Sequence, residues 1–172
     1  GVGEKLREQP HTRGTSACSH PITINDVLRS PWIKMREGIR FLFTRRGMLS
    51  IASGSSAMNV RSRPEMPQTD LVIRMHLFSG KDRSARTIKT GLDPFPGFGI
   101  GVTLLHPQSI GYVHIQSADP LAHPRMDPRY MSNESDIKVM IDGARIARRI
   151  AQMPSMKAVT VRETRPGTEV ED

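Results

Sequence analysis

At 172 residues, with 37% hydrophobic and 5% aromatic content, the chain is long enough for one domain, but its core is thin for its size. A single cysteine, Cys18, excludes an internal disulfide, and no apolar run approaches the ~20 residues of a membrane-spanning helix. The net charge of +8 comes from 25 basic and 17 acidic residues that interleave, with few aromatics to stack on bases, so it reads as a solvated basic surface rather than a nucleic-acid interface.

In chain order, residues 1–10 read as a turn entering the domain and residues 11–19 as an extended strand. Pro21 breaks the chain, and Asn25 or Asp26 is expected to cap a short helix. Pro31 suits the first turn of a second helix, over about 32–43. Its apolar residues Trp32, Ile33, Ile39, Leu42 and Phe43 are expected to face inward, and Arg45-Arg46-Gly47 ends it. Residues 47–60 are rich in small residues, with Ser50, Ser53, Ser55 and Ser56. Residues 70–78, 98–105 and 111–116 are β-rich and predict strands. Residues 81–93 are polar and basic, as a surface loop would be.

From Ser117 onward the pattern sharpens. Pro120, Pro124 and Pro128 spell a stiff non-helical crossover, because proline keeps its preceding residue extended. Ser132 or Asn133 then caps a helix running to about Gln152, with Glu134 and Asp136 at its positive end. Ile137, Met140, Ile141, Ala144, Ala147 and Ala151 recur at helical spacing and predict its buried face, while Arg145, Arg148 and Arg149 suit its C-terminal end. A short strand is expected through residues 159–161, and residues 165–172 read as a tail. Strands joined by turns, with helices grouped between them, predict an α+β fold.

This order of parts resembles the glucose-methanol-choline (GMC) oxidoreductase family. The family segment S-x-G-x-V-x-[LI]-x-S-x-D-P finds its counterpart in Ser109, Gly111, Val113, Ile115, Ser117 and Asp119-Pro120, followed by Pro124, Met126, Pro128 and Tyr130-Met131-Ser132. Gly1 to Pro10 is similar to the family's GVGxNLxDHP turn, with Lys5 in place of asparagine and Glu8-Gln9 in place of Asp-His. Arg61-Ser62-Arg63-Pro64 followed by Asp70-Leu71 is similar to a third family motif. The resemblance implies a mainly antiparallel sheet of about six strands backed by helices on one face, with the other face over a flavin. It implies that residues 1–164 are most of a substrate-binding domain, an internal piece of a longer protein.

The chemistry then divides between what is present and what is expected elsewhere. A dinucleotide site needs a glycine-rich turn from strand into helix. Gly97-Phe98-Gly99-Ile100-Gly101-Val102 fails that test, because its sixth position is valine and a strand follows. FAD is therefore expected in the full-length protein and not on this piece alone, with the missing FAD-binding domain as its partner. The family's catalytic pair, a histidine with a second histidine or an asparagine, is expected beyond Asp172. The resemblance implies that His106 points at the substrate alcohol; the alternative is a strand-end histidine bonding backbone. Ser55 stands where choline-oxidising relatives carry a glutamate, so it can line a substrate pocket but cannot pair with a quaternary ammonium. A neutral small-molecule alcohol is expected in choline's place.

His11, His20, His76, His114 and His123 show no metal spacing, and no metal is expected. Cys18 reads as a buried inert thiol and Tyr130 as a packing residue. A lone thiol fits a cytoplasmic setting, while the lack of a visible signal peptide in a sequence that starts at Gly1 says nothing about export. The alternative to an enzyme fragment is a non-catalytic, stand-alone binding module derived from the same domain.

Overall fold

Residues 97–104 alternate glycine or threonine with Phe98, Ile100, Val102 and Leu104, so one face of this strand is large and apolar and the other nearly flat. It is the central strand of the fold. The computed structural model describes residues 3–51, 54–81 and 91–170. Its strands are β1 (His11–Cys18), β2 (Gly54–Val60), β3 (Leu71–His76), β4 (Gly97–Leu104), β5 (Tyr112–His114), β6 (Arg125–Asp127) and β7 (Thr160–Arg165). Five of them form one sheet in the order β2-β3-β4-β1-β7, every neighbour antiparallel. The expected antiparallel sheet of about six strands is present with five, and β5 and β6 form a separate two-stranded antiparallel ribbon.

The helices are α1 (Ile24–Arg29), α2 (Pro31–Thr44), α3 (Glu134–Gln152) and α4 (Pro154–Lys157). α3 lies across β3, β4 and β1. The core forms where Leu71, Ile73, Phe98, Ile100, Val102 and Leu104 meet Val139, Met140 and Ala147 of α3. Asn133 caps α3, its Oδ1 accepting from Ser135 N at 2.9 Å. The buried face of α3 is offset from the expected one. Asp136, Val139, Met140, Gly143 and Ala147 are buried, whereas Ile137 and Ile141 are 39% and 37% exposed. The reason is Gly143: a Cβ there would lie 2.6 Å from Val102 Cγ1, so the helix makes its closest approach to the sheet at that residue. Ile141 and Ala144 turn toward an apolar recess beside β1 and β7 instead. Arg148 donates to Glu163 Oε1 and to the Gly167 carbonyl, both at 3.1 Å, so it is a tether rather than a free surface cation.

α2 also differs. Its length is as expected, but Trp32, Ile39, Leu42 and Phe43 are exposed, and Glu37 is its one buried residue. The helix packs on α1 and on the 3-10 turn at residues 48–50, off the sheet. The Glu37 carboxylate turns inward to accept from Met48 N at 3.3 Å. α1 is capped by Thr23 rather than by Asn25 or Asp26. Asn25 instead crosses between loops: its Nδ2 donates to the Ser79 and Asp93 carbonyls, and its Oδ1 accepts from Ser79 N.

β2, β6 and α4 were not expected. β2 is a polar edge strand that takes its register from β3, and β6 is three residues held between Pro124 and Pro128. Arg165, expected at the start of the tail, is the last residue of β7. Most of the expected loop at residues 81–93 lies outside the described residues. No described helix is long and apolar enough to cross a membrane.

Candidate functional site

The sheet has two unlike faces. α3 covers the one that carries Ile73 and Val102; the opposite face carries Arg74 and His76 of β3, Gly99, Gly101 and Thr103 of β4, and His11 of β1. Register alone brings these together: His76 pairs with Gly99, and His11 with Thr103. The glycines make room. A Cβ on Gly101 would lie 2.6 Å from His11 Cε1 and 3.2 Å from His76 Nε2, so both imidazoles lie over the bare backbone of β4. His11 Nδ1 hydrogen-bonds Thr103 Oγ1 at 2.9 Å, and the two rings meet edge-on at 6.3 Å.

A cavity of about 490 Å³ opens on this face beside β2. Gly54, Ser55 and Ser56 form one side, Arg74 and His76 the floor, and His11 the far end. Ser55 is therefore in a cavity wall, its Oγ donating to the Met75 carbonyl at 3.3 Å.

His106 is elsewhere. It is exposed and borders a second recess with Arg7, Gln9, Leu105 and Pro107. The structure does not bring His106 and Ser55 together, since the two cavities share no lining residue. The turn carrying His106 is firmly built. Asp136, buried at the start of α3, accepts from Gln108 N at 2.8 Å, Ser109 N at 2.8 Å and Ser109 Oγ at 2.6 Å. Arg7 Nη1 donates to the Pro107 carbonyl at 3.0 Å, and Gln9 Nε2 to the Leu105 carbonyl at 3.0 Å. Gln9, in the wall of this recess, is two residues from His11.

The remaining candidates have local roles. His114 bonds Glu4 at 3.0 Å and stacks on Tyr112; Cys18 is buried in the core; Tyr130 is half exposed. Among the described residues, no group of three or more His, Cys, Asp or Glu is placed to hold a metal. Asp93 and Arg165 form a two-pronged ion pair, at 2.5 and 2.8 Å, which fastens β7 to the loop before β4. The Arg165 guanidinium holds the Asp93 carboxyl below the usual carboxylate range, against the opposing effect of burial, and Asp93 in turn raises Arg165.

Gly97–Gly101 is strand interior, with β1 and β3 on either side. Its backbone N–H groups therefore point along the sheet and cannot converge on a pyrophosphate. This segment does not fit a flavin-phosphate cradle.

Residues 107–172 match a family model described as GMC oxidoreductase. The mitochondrial choline dehydrogenase of Mus musculus is 27% identical over 173 residues, a match that takes in 99% of this chain and 28% of that protein. An alcohol dehydrogenase (acceptor) of Pseudomonas putida is 35% identical over 130 residues, 76% of this chain and 23% of that one. A solved FAD-dependent oxidoreductase from Chaetomium thermophilum superposes with a TM-score of 0.76 at 18% identity, over 99% of this chain and 35% of that chain. The chain spans under a third of the length of the curated relatives it matches.

Proposed function

Because the chain belongs to the GMC oxidoreductase family, we propose that it is the substrate-side domain of an FAD-dependent enzyme that transfers a hydride from a primary or secondary alcohol to flavin. The observation that carries this reading is the bare glycine face of β4 with His11, His76, Arg74 and Ser55 gathered over it. Four strands contribute to that surface, and α3 packs on the opposite face of the sheet. The flavin supplies the hydride acceptor when bound, and the remainder of the protein holds it. This chain's share is to bind the alcohol, orient it and exclude water. Ser55 contributes a wall hydroxyl.

Histidines over a glycine floor can accept or donate a hydrogen bond at a hydroxyl without moving backbone, which is how a pocket wall orients an alcohol. The test uses the full-length protein. Purified with bound flavin and mixed anaerobically with a panel of primary and secondary alcohols, it should lose its oxidised-flavin absorbance. A full-length product that binds no flavin, or a bound flavin that no alcohol reduces, would favour the non-catalytic binding module instead.

A further inference from the structure

The open-face cavity has one-sided chemistry. Its wall carries an arginine, two histidines and two serines, and no carboxylate among the described residues that line it. Three other arginines are committed to carboxylates: Arg63 to Asp142, Arg148 to Glu163 and Arg165 to Asp93. Arg74 is exposed and has no hydrogen bond or ion pair among the described residues. It stands at the register position opposite Ala57 and Gly101, neither of which offers a polar side chain.

The geometry around Arg74 leaves room for a ligand. A Cβ on Gly54 would lie 3.9 Å from Arg74 Cδ and 4.0 Å from His76 Cε1. A side chain at position 54 would thus enter the space between the guanidinium and the imidazole, which glycine leaves open among the described residues. On the other side of His76, the His11 ring closes the end of the cavity at 6.3 Å. A group placed there meets a guanidinium fork and imidazole edges together.

We infer that this cavity receives an anionic group, so that the alcohol substrate carries a carboxylate. The inference rests on the alcohol-oxidoreductase reading above and narrows it to acid-bearing alcohols. A guanidinium presents paired N–H donors whose spacing matches a carboxylate, and it stays charged at any working pH. A quaternary ammonium in the same place would face Arg74 as a like charge, with no acid in the wall to offset it. Ser55, where a carboxylate would be needed to hold such a cation, offers only a hydroxyl already directed at the Met75 carbonyl.

The experiment compares two matched alcohols on the full-length, flavin-loaded enzyme: para-hydroxymethylbenzoate and its uncharged counterpart para-hydroxymethylbenzamide. The expected result is that the carboxylate is favoured in kcat/KM by about tenfold or more, as one charge-assisted hydrogen bond allows. Arg74→Gln should bring that ratio close to one, and Arg74→Lys should leave an intermediate ratio, because charge is kept and the fork is lost. Bound flavin, measured by absorbance, reports whether each variant is folded. If Arg74→Gln cannot be purified with flavin, the wild-type ratio and Arg74→Lys decide alone. Reduction by both alcohols with no preference for the acid would overturn the anionic site and leave the oxidoreductase reading intact. No reduction by any alcohol, alongside Arg74-dependent binding of para-toluate by calorimetry, would uphold the anionic site and remove the reading on which its substrate rests.

Discussion

Two aspartates show how single residues hold this fold in place. Asp70 accepts from Ser62 N at 2.7 Å and Ser62 Oγ at 2.6 Å, closing the β2–β3 connection, and this is the physical content of the Arg61–Pro64 and Asp70-Leu71 motif. Asp93 grips Arg165 in two-pronged fashion and is itself buried. Removing one partner strands the other, so Asp93→Asn should cost about 3 kcal/mol in urea unfolding. The pH dependence follows from the lowered Asp93 pKa. The unfolded chain takes up a proton at this group before the folded chain does. The stabilisation is therefore complete above the unfolded value of about 4 and is lost as pH falls through the lower folded value. Arg165, raised, stays cationic throughout. Acid titration of stability should show a smaller loss below pH ~4 in Asp93→Asn than in the wild type. Neither the Asp93–Arg165 nor the His11–His76 pairing could be read from spacing, because each joins residues more than sixty positions apart through sheet register.

At the scale of elements, the periodic signals were legible and their orientation was not. α3 begins and ends where Asn133 and Pro154 predict, since cap and proline chemistry are local. Its inward face was displaced because Gly143, invisible to a hydrophobic count, lets the helix sit closest to Val102. Met140→Asp should therefore destabilise by several kcal/mol, as an unpaired buried charge does, and Ile141→Asp by distinctly less. Equal losses in thermal unfolding would contradict the observed face. Gly143→Ala gains about 1 kcal/mol of helix propensity, but overpacking costs about 1–3. A Cβ contact of 2.6 Å on a fully buried valine favours the cost, so a net loss of stability is expected. β2 escaped notice because a serine- and glycine-rich edge strand carries little intrinsic preference and borrows its order from β3. α2 misled for a different reason: apolar residues at helical spacing imply a covered face only if something covers it, and α2 stands off the sheet.

For the whole molecule, the sequence motifs implied the α+β class, the antiparallel sheet and the family, and the structure and comparisons agree. The candidate site was half legible. Ser55 lines the open-face cavity, but its companions Arg74, His11 and His76 emerge only once the strands are in register. The chain alone, whose Gly97–Gly101 segment is strand interior and not a phosphate cradle, should retain no stoichiometric FAD after mixing and desalting. The central claim is that the open face of the sheet is the wall of the alcohol pocket, and Gly54 gives direct access to it. Gly54→Leu would fill the space between Arg74 and His76 while leaving the α3 side of the sheet untouched. In the full-length protein, single-turnover flavin reduction by an alcohol should slow by about tenfold or more in this variant, with bound flavin unchanged. Wild-type reduction rates in a flavin-loaded Gly54→Leu enzyme would contradict the account.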